Sequence, residues 1–346
     1  MQTTDLSAAI RSLPKAELHL HLEGSIRPRT AVELAARHGL ALTEQEAQAR
    51  YQYSDFPGFL EAFKWVTSFL RAPADYALIT QRLAEELLVQ NVLYAEVTVA
   101  LGVLLWRNQQ PEPVFEAIWQ VAQEMEPRGL VLRWIPDGTW QFGAEAAESA
   151  ARVAARMKHR GVIAFGMGGD EMAIPFREFR AAYDIAAAAG LHRVAHAGEV
   201  GPPQHVRDAV ELLGTERIGH GIATMHDPAL AELLTAQRIP LEVCPVSNIC
   251  TGALAKQLGK TQATLAEHPL KRLFDAGVPV TLSTDDPAMF HTDLLSEYEN
   301  CAELGLSLRE AVGLAEASFE HAFLPVKDKG AYLTAFRAKR AELGLL

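Results

Sequence analysis

Eight short runs rich in aliphatic and β-branched residues recur along the chain, and stretches rich in Ala, Leu and Glu separate them. The runs are AELHLHL (16–22), VLYAEVTV (92–99), LVLRWIP (130–136), VIAFGM (162–167), HRVAHA (192–197), ERIGH (216–220), PLEVC (240–244) and PVTLST (279–284). Strands that alternate with helices pair in parallel through right-handed crossovers. Eight such units predict an α/β fold of the (β/α)8 TIM-barrel type, with chemistry at the C-terminal ends of the strands. A barrel of this kind holds the whole chain, 1–346, in one domain. Helices are expected at 76–90, 145–159, 176–189, 204–213, 228–237, 268–276 and 293–304. Pro175 and Pro228 suit first-turn positions, and Gly190 and Gly214 suit helix stops.

The connection between the first two strands is too long for one crossover helix. Residues 24–91 therefore carry extra helices, placed to form a lid over the barrel mouth. Within them, FPGFLEAFKWVTSFL sets Phe59, Leu60, Phe63, Val66, Phe69 and Leu70 on one helical stripe. Such stripes pack into cores, and Phe59, Leu60 and Phe63 are also candidates to line a substrate pocket.

Composition narrows the partners. Half the residues are apolar, yet no apolar run approaches the roughly 18 residues of a membrane span. The first fifteen residues lack the basic start and apolar core of a signal peptide. Cys244, Cys250 and Cys301 make neither a disulfide framework nor a CxxC metal site. A cytoplasmic protein without membrane contact is expected. The net charge of −11 would repel phosphate backbones, so a small molecule is a better partner than nucleic acid. A homodimer is left open.

Ionisable residues gather at the predicted strand ends. His19 and His21 share a face of the first strand, because side chains alternate with period two. His196 ends the fifth strand, His220 the sixth, and Asp285 and Asp286 the eighth, with Glu199 in the loop after the fifth. Each would be costly to bury alone. Together they offer neutral imidazoles and a carboxylate with a position left for water, a donor set that suits one Zn2+ per chain. The assignment is His19, His21, His196 and Asp285 to the metal. Zinc would lower the pKa of a bound water towards roughly 7. His220 is then free to orient or deprotonate that water, Glu199 to pass a proton to substrate, and Asp286 to hydrogen-bond the substrate. The glycines of GMGGDE allow a flat ligand close to the backbone. Gly169 is assigned as a backbone donor, and Gly166 and Gly168 as a tight turn. Asp170 and Glu171 either touch the site or cap the next helix. His291 could border the site, and His268 is placed in a structural role before Pro269. No lysine stands at the fourth strand end, which argues against a carbamylated-lysine bridge.

PKAELHLHLEGS (14–25), GGDE (168–171), HAGE (196–199), RIGHG (217–221), CPVSN (244–248) and STDDP (283–287) stand in one order along the chain. In that order they resemble the adenosine deaminase family of the amidohydrolase superfamily. FLEAF (59–63) is similar to that family's lid helix. The resemblance implies a mononuclear-zinc barrel that removes the 6-amino group of an adenine-type purine nucleoside by hydrolysis. It implies that His19, His21, His196 and Asp285 bind zinc and that His220 orients the attacking oxygen. It further implies that Glu199 protonates N1, Asp286 holds N7 and Gly169 donates to N3. The HxE…PCxxC signature of cytidine-type deaminases is absent.

Two departures bear on the substrate. The adenosine-specific pattern is HLDG, whose Asp contacts the ribose 5′-hydroxyl; this chain has Glu23 there. Adenine deaminases share HLEG but carry RIDHG, where this chain has Gly219. The alternatives are therefore deamination of aminodeoxyfutalosine, a menaquinone precursor with a bulky 5′ substituent, or of adenine. A different amidohydrolase reaction or a non-catalytic purine-binding barrel is the rival from another class.

Overall fold

The computed structural model describes residues 3–53 and 55–345. Met1 and Gln2, where the expected non-leader segment begins, lie outside them. The strands are β1 (Lys15–His21), β2 (Val92–Val99), β3 (Val131–Thr139), β4 (Ala164–Gly168), β5 (His192–Ala197), β6 (Arg217–His220), β7 (Leu241–Val243) and β8 (Val280–Leu282). They lie side by side in chain order, and every neighbouring pair is parallel. Just past β8 the chain returns to β1. There Asp285 N–H donates to His19 O (3.0 Å) and His21 N–H donates to Asp285 O (2.8 Å). All eight expected strands are present in a (β/α)8 barrel. Helices cover its outside, so β2, β4, β6, β7 and β8 are buried almost throughout, as a parallel sheet requires.

The expected helices form with shifted ends. Pro228–Gln237 starts on its proline, and Gly214 closes Pro203–Leu213 at φ +64°, the left-handed stop that glycine permits. The stretch at 176–189 opens as a 3-10 turn, Phe176–Phe179, before Arg180–Ala188 becomes α-helical. Its Pro175 is extended and stands ahead of the first turn. Three long helices were not anticipated: Pro111–Met125, Leu308–His321 and Val326–Glu342. The last buries only Phe336. It docks through Tyr332, stacked on Phe319 at 5.4 Å, so its own sequence carries little of the amphipathic signal.

Between β1 and β2 the described residues hold four α-helices: Pro28–Arg37, Glu44–Arg50, Phe56–Thr67 and Pro73–Val89. Asp55 caps the third by accepting from Gly58 N–H (2.9 Å), with Pro57 in the first turn. No helix among the described residues is long and apolar enough to cross a membrane.

Two buried acids sit beneath the β1–β8 junction. Glu17 accepts from Thr284 N–H (3.0 Å) and from its hydroxyl. Glu297 accepts from the Thr292 hydroxyl (3.1 Å). Burial pushes Glu17 up to about 7 and Glu297 up to about 8. Both bind their protons more tightly folded than unfolded, where a Glu titrates near roughly 4.3. Their contribution is thus complete below that value and is lost as pH rises through about 7 to 8. The melting temperature should fall between pH 5 and pH 8.5, and Glu297→Gln should shallow that fall. Superimposable profiles for the two proteins would rule this source out.

Candidate active site

The C-terminal ends of β1, β5, β6 and β8 deliver their side chains to one point. His19 and His21 alternate on β1 so that both rings face inward, 5.4 Å apart between centroids. His19 lies 4.5 Å from His196 and 4.9 Å from His220. His21 Nε2 is 3.1 Å from His196 Nε2 and 3.2 Å from Asp285 Oδ1. His220 and Asp285 have left-handed backbones, φ +60° and +67°. For residues with a side chain this conformation costs about 1–3 kcal/mol and persists where surrounding structure enforces it. Here it turns each chain end sharply over the barrel mouth.

Packing leaves no room for side chains at two motif glycines. A Cβ on Gly219 would meet His19 Cε1 at 2.6 Å, and one on Gly24 would meet Asp286 Oδ1 at 1.7 Å. Gly169 is left-handed, φ +89°, and a Cβ there would meet Gln141 Oε1 at 2.6 Å.

Hydrogen bonds at the back of each ring aim the inner nitrogens. His19 Nδ1–H donates to Glu242 Oε2 (2.8 Å), and His196 Nδ1–H donates to the Met167 carbonyl (3.0 Å). Nε2 of each ring then points into the cluster, where that of His19 lies 3.4 Å from Asp285 Oδ1. Ser247 Oγ–H donates to Asp285 Oδ2 (2.6 Å), leaving Oδ1 to the imidazoles. Burial pulls His196 well below its usual range, so its ring is neutral. Burial also opposes charge on His19, but hydrogen bonds to Asp285 and Glu242 outweigh it and lift the ring to about 10. Lone pairs and carboxylates around one point thus call for positive charge. His19, His196, His220 and Asp285 bring ligand atoms within 4.8 Å of one another, and His21, Asp285 and Asp286 form an adjoining group. These donors fit a small divalent cation.

A cavity of about 480 Å³ opens above this cluster. His21, His196, Glu199, His220, Asp285 and Asp286 form its floor. Gly169 and Asp170 stand at one side, and Phe59, Leu60 and Phe63 of the helix Phe56–Thr67 cover it. Phe59 also packs on Phe290 at 5.2 Å. Glu23 is outside the cavity lining: it is buried, and its carboxylate accepts from Ala100 N–H (3.1 and 3.3 Å). His291 is likewise outside the cavity lining, against the Tyr51 carbonyl (3.3 Å).

A model of the adenosine deaminase family matches residues 14–338. Aminodeoxyfutalosine deaminase of Streptomyces avermitilis is 42% identical over 332 residues, covering 94% of this chain and 90% of that protein. Adenine deaminase of Streptomyces coelicolor is 35% identical over 345 residues, covering 96% and 97%. Among solved structures, adenine deaminase from Arthrobacter aurescens superposes with a TM-score of 0.87 at 29% identity, covering 94% of this chain and 98% of its own. A zinc-bound amidohydrolase from Burkholderia ambifaria superposes with a TM-score of 0.90 at 25% identity, covering 99% and 95%. The chain belongs to the adenosine deaminase family. It is a deaminase-type hydrolase acting on a carbon–nitrogen bond of a cyclic amidine.

Several supports of this deaminase site were not singled out from sequence. Asp137, at the IPDG end of β3, lines the cavity, and burial raises its carboxyl well above the ordinary range. Its position at a strand end was the available signal. Glu242 joins His19 to Arg217, whose Nε donates to Glu242 Oε1 (2.5 Å) and whose other arm pairs with Glu96. Glu171 braces the loop that carries Glu199. It accepts from Gly198 N–H (2.7 Å), Val200 N–H (2.7 Å) and Gly201 N–H (2.8 Å), and pairs with His205 Nδ1 (2.9 Å). Burial opposes its charge, yet the His205 contact and the backbone donors hold it below the usual range. Glu171→Ala should lower the unfolding free energy by roughly 3 kcal/mol, since hydrogen bonds to a charged group are worth more than neutral ones. Hydrogen exchange should speed up at Gly198, Val200 and Gly201, and unchanged protection there would show that the loop holds without this brace.

Proposed function

We propose that this protein is a zinc-dependent deaminase that replaces the 6-amino group of a 5′-modified adenine nucleoside, of the aminodeoxyfutalosine type, by oxygen. The observation that carries the substrate reading is the cavity's extension away from the His/Asp cluster, well beyond the room a purine base needs. Beyond the floor its wall carries Val103, Trp106 and Phe142, with Trp106 and Phe142 stacked at 5.9 Å, beside the polar groups of Lys64, Arg107, Thr139 and Gln141. The carboxylate that could greet a 5′-hydroxyl, Glu23, is already engaged with Ala100 N–H. Burial also pushes Glu23 up to about 7. Both features suit a bulky 5′ group better than a free hydroxyl. The 42% identity to an aminodeoxyfutalosine deaminase points the same way. Adenine is the second reading, favoured by relatives at 35% identity; a lone base would leave much of the cavity unfilled.

In this reading His19, His21, His196 and Asp285 hold one zinc ion. Bound there, zinc would lower the pKa of a coordinated water towards roughly 7. Glu199 gives a proton to N1, which makes C6 electrophilic. Burial, then the charges of Asp285 and Glu171, pushes Glu199 up to about 8, so it keeps that proton near neutrality. N7 offers only a lone pair, so Asp286 must present O–H. Burial and the charge of Asp285 raise it well above the ordinary range and favour that form. Gly169 offers its N–H to N3. Water oxygen adds to C6, the C6–N bond breaks, and water's two protons pass to the amino group, which leaves as ammonia, and to Glu199, so that a 6-oxopurine protonated at N1 remains. His220 Nε2 faces the point of attack, 3.7 Å from Glu199 Oε2 and 3.8 Å from Asp285 Oδ2. Phe59, Leu60 and Phe63 close over the base as part of the lid formed by 24–91, with 1–346 acting as one unit. We place the reaction in the cytoplasm, where the free thiols of Cys244, Cys250 and Cys301 stay reduced.

An ultraviolet assay of the purified enzyme with aminodeoxyfutalosine, adenosine, deoxyadenosine and adenine tests the reading. The highest kcat/KM is expected for the 5′-substituted nucleoside, with one zinc per chain by elemental analysis. Equal or faster turnover of adenine would move the assignment to a base deaminase. Glu199→Gln should keep its zinc and lose at least about 100-fold in kcat; normal turnover by that variant would remove Glu199 from the proposed chemistry.

A further inference from the structure

Behind His220 lies a line of buried polar groups that the chemistry above does not use. The short helix Pro245–Cys250 presents Ser247 to Asp285 and, one residue on, Asn248 to His220. Asn248 Nδ2 is 3.2 Å from His220 Nδ1. Asn248 Oδ1 is 3.2 Å from His268 Nε2. His268 Nδ1 in turn accepts from Leu270 N–H (3.1 Å), in the first turn of the helix Leu270–Asp275. His220, Asn248 and His268 are all buried.

A backbone N–H can only donate, and this fixes every proton in the line. Because Leu270 N–H points at His268 Nδ1, that nitrogen is bare and the His268 proton is on Nε2. His268 Nε2–H then donates to Asn248, which sets the amide with its oxygen towards His268 and its NH2 towards His220. The NH2 group needs an acceptor, so His220 Nδ1 is bare as well. The only proton of neutral His220 is therefore on Nε2, the nitrogen facing Glu199 and Asp285. Which ring nitrogen carries the proton is set by what the other one meets.

We propose that Asn248 and His268 are positioning residues that lock His220 as its Nε2–H tautomer, so that it meets the attacking oxygen as a hydrogen-bond donor and not as a base. Sequence left His220 free either to orient or to deprotonate water; the relay selects the first. A ring with its proton already on Nε2 has no lone pair there to take another. His220 steadies negative charge on the incoming oxygen, and the proton released by water goes to the Glu199 carboxylate, which is free to take it once its own proton is on N1. This role rests on the deaminase reading, whereas the tautomer itself does not.

The test is nitrogen NMR of the zinc-loaded enzyme labelled with 15N-histidine, with His220 assigned by the signals lost in His220→Asn. His220 and His268 should both show the Nε2–H pattern. Asn248→Asp places a carboxylate against His220 Nδ1 and should move a proton to that nitrogen. The same variant should lower kcat by about 10- to 100-fold, the usual effect of losing an outer-shell partner, with KM and zinc content within two-fold. His268→Phe removes the donor that orients the amide and should act alike. His268→Gln, which carries an acceptor and a donor at similar spacing, should restore most of the rate. An Nδ1–H tautomer of His220 in the unmodified enzyme would overturn the proposal, as would unchanged kcat in both Asn248→Asp and His268→Phe. Failure to deaminate any purine would instead strike the functional reading, and the tautomer would still be read.

Discussion

The barrel closes and the site assembles through the same pair of backbone hydrogen bonds. Asp285 N–H to His19 O and His21 N–H to Asp285 O join the last strand segment to the first. They also place the Asp285 carboxylate opposite the two β1 imidazoles. Asp285 stands in the left-handed region at that point, and its neighbour Asp286 is carried over Gly24, where no side chain would fit. A strand pairing shifted by one residue would turn His19 and His21 out of the barrel. Register at this seam therefore decides both whether the fold closes and whether a cation can be held.

The buried acids around the cavity divide by what faces them. Glu242 meets Arg217, and Glu171 meets His205 with three backbone N–H groups; burial opposes both charges, but these partners keep both ionised. They hold His19 and the Glu199 loop in place. Glu199, Asp286 and Asp137 lack a cationic partner of that kind, and burial pushes all three up. Asp285 and Asp286 are adjacent in sequence yet shift in opposite directions, because hydrogen bonds to His19 and His21 overcome burial at Asp285 and none does so at Asp286. Carboxyls whose environments drive them apart can serve as ligand and as proton donor within one small volume.

His220 shows how the outer structure reaches the chemistry. Its ring is aimed by a left-handed backbone and its proton by Asn248 and His268, which sit on segments between β7 and β8. None of the groups in that line carries a charge, so the low-dielectric interior strengthens their mutual orientation without the cost of burying an ion. The arrangement resembles the backing of His19 by Glu242 and of His196 by the Met167 carbonyl. In each case a group behind the ring chooses what its inner nitrogen can do.

Sequence by itself determined the eight strand units, their parallel order and the gathering of His19, His21, His196, His220, Asp285 and Asp286 at one barrel end. Those features follow from local rules: period-two alternation sets the face, and parallel strands all finish on the same side. The helices at 111–125 and 308–321 also carry a local pattern, with buried residues recurring every three or four positions. Tertiary structure alone decided that Glu23 would spend its carboxylate on Ala100, that Glu171 would brace a loop, and that Glu242 would stand behind His19. It alone brought Leu270, His268 and Asn248 into line behind His220. Apart from the Leu270–His268 bond, which spans two residues, these contacts join separate segments, so neither partner's neighbours along the chain record them. What a buried polar group does is set by the one atom it meets, and that atom is chosen only when the barrel closes.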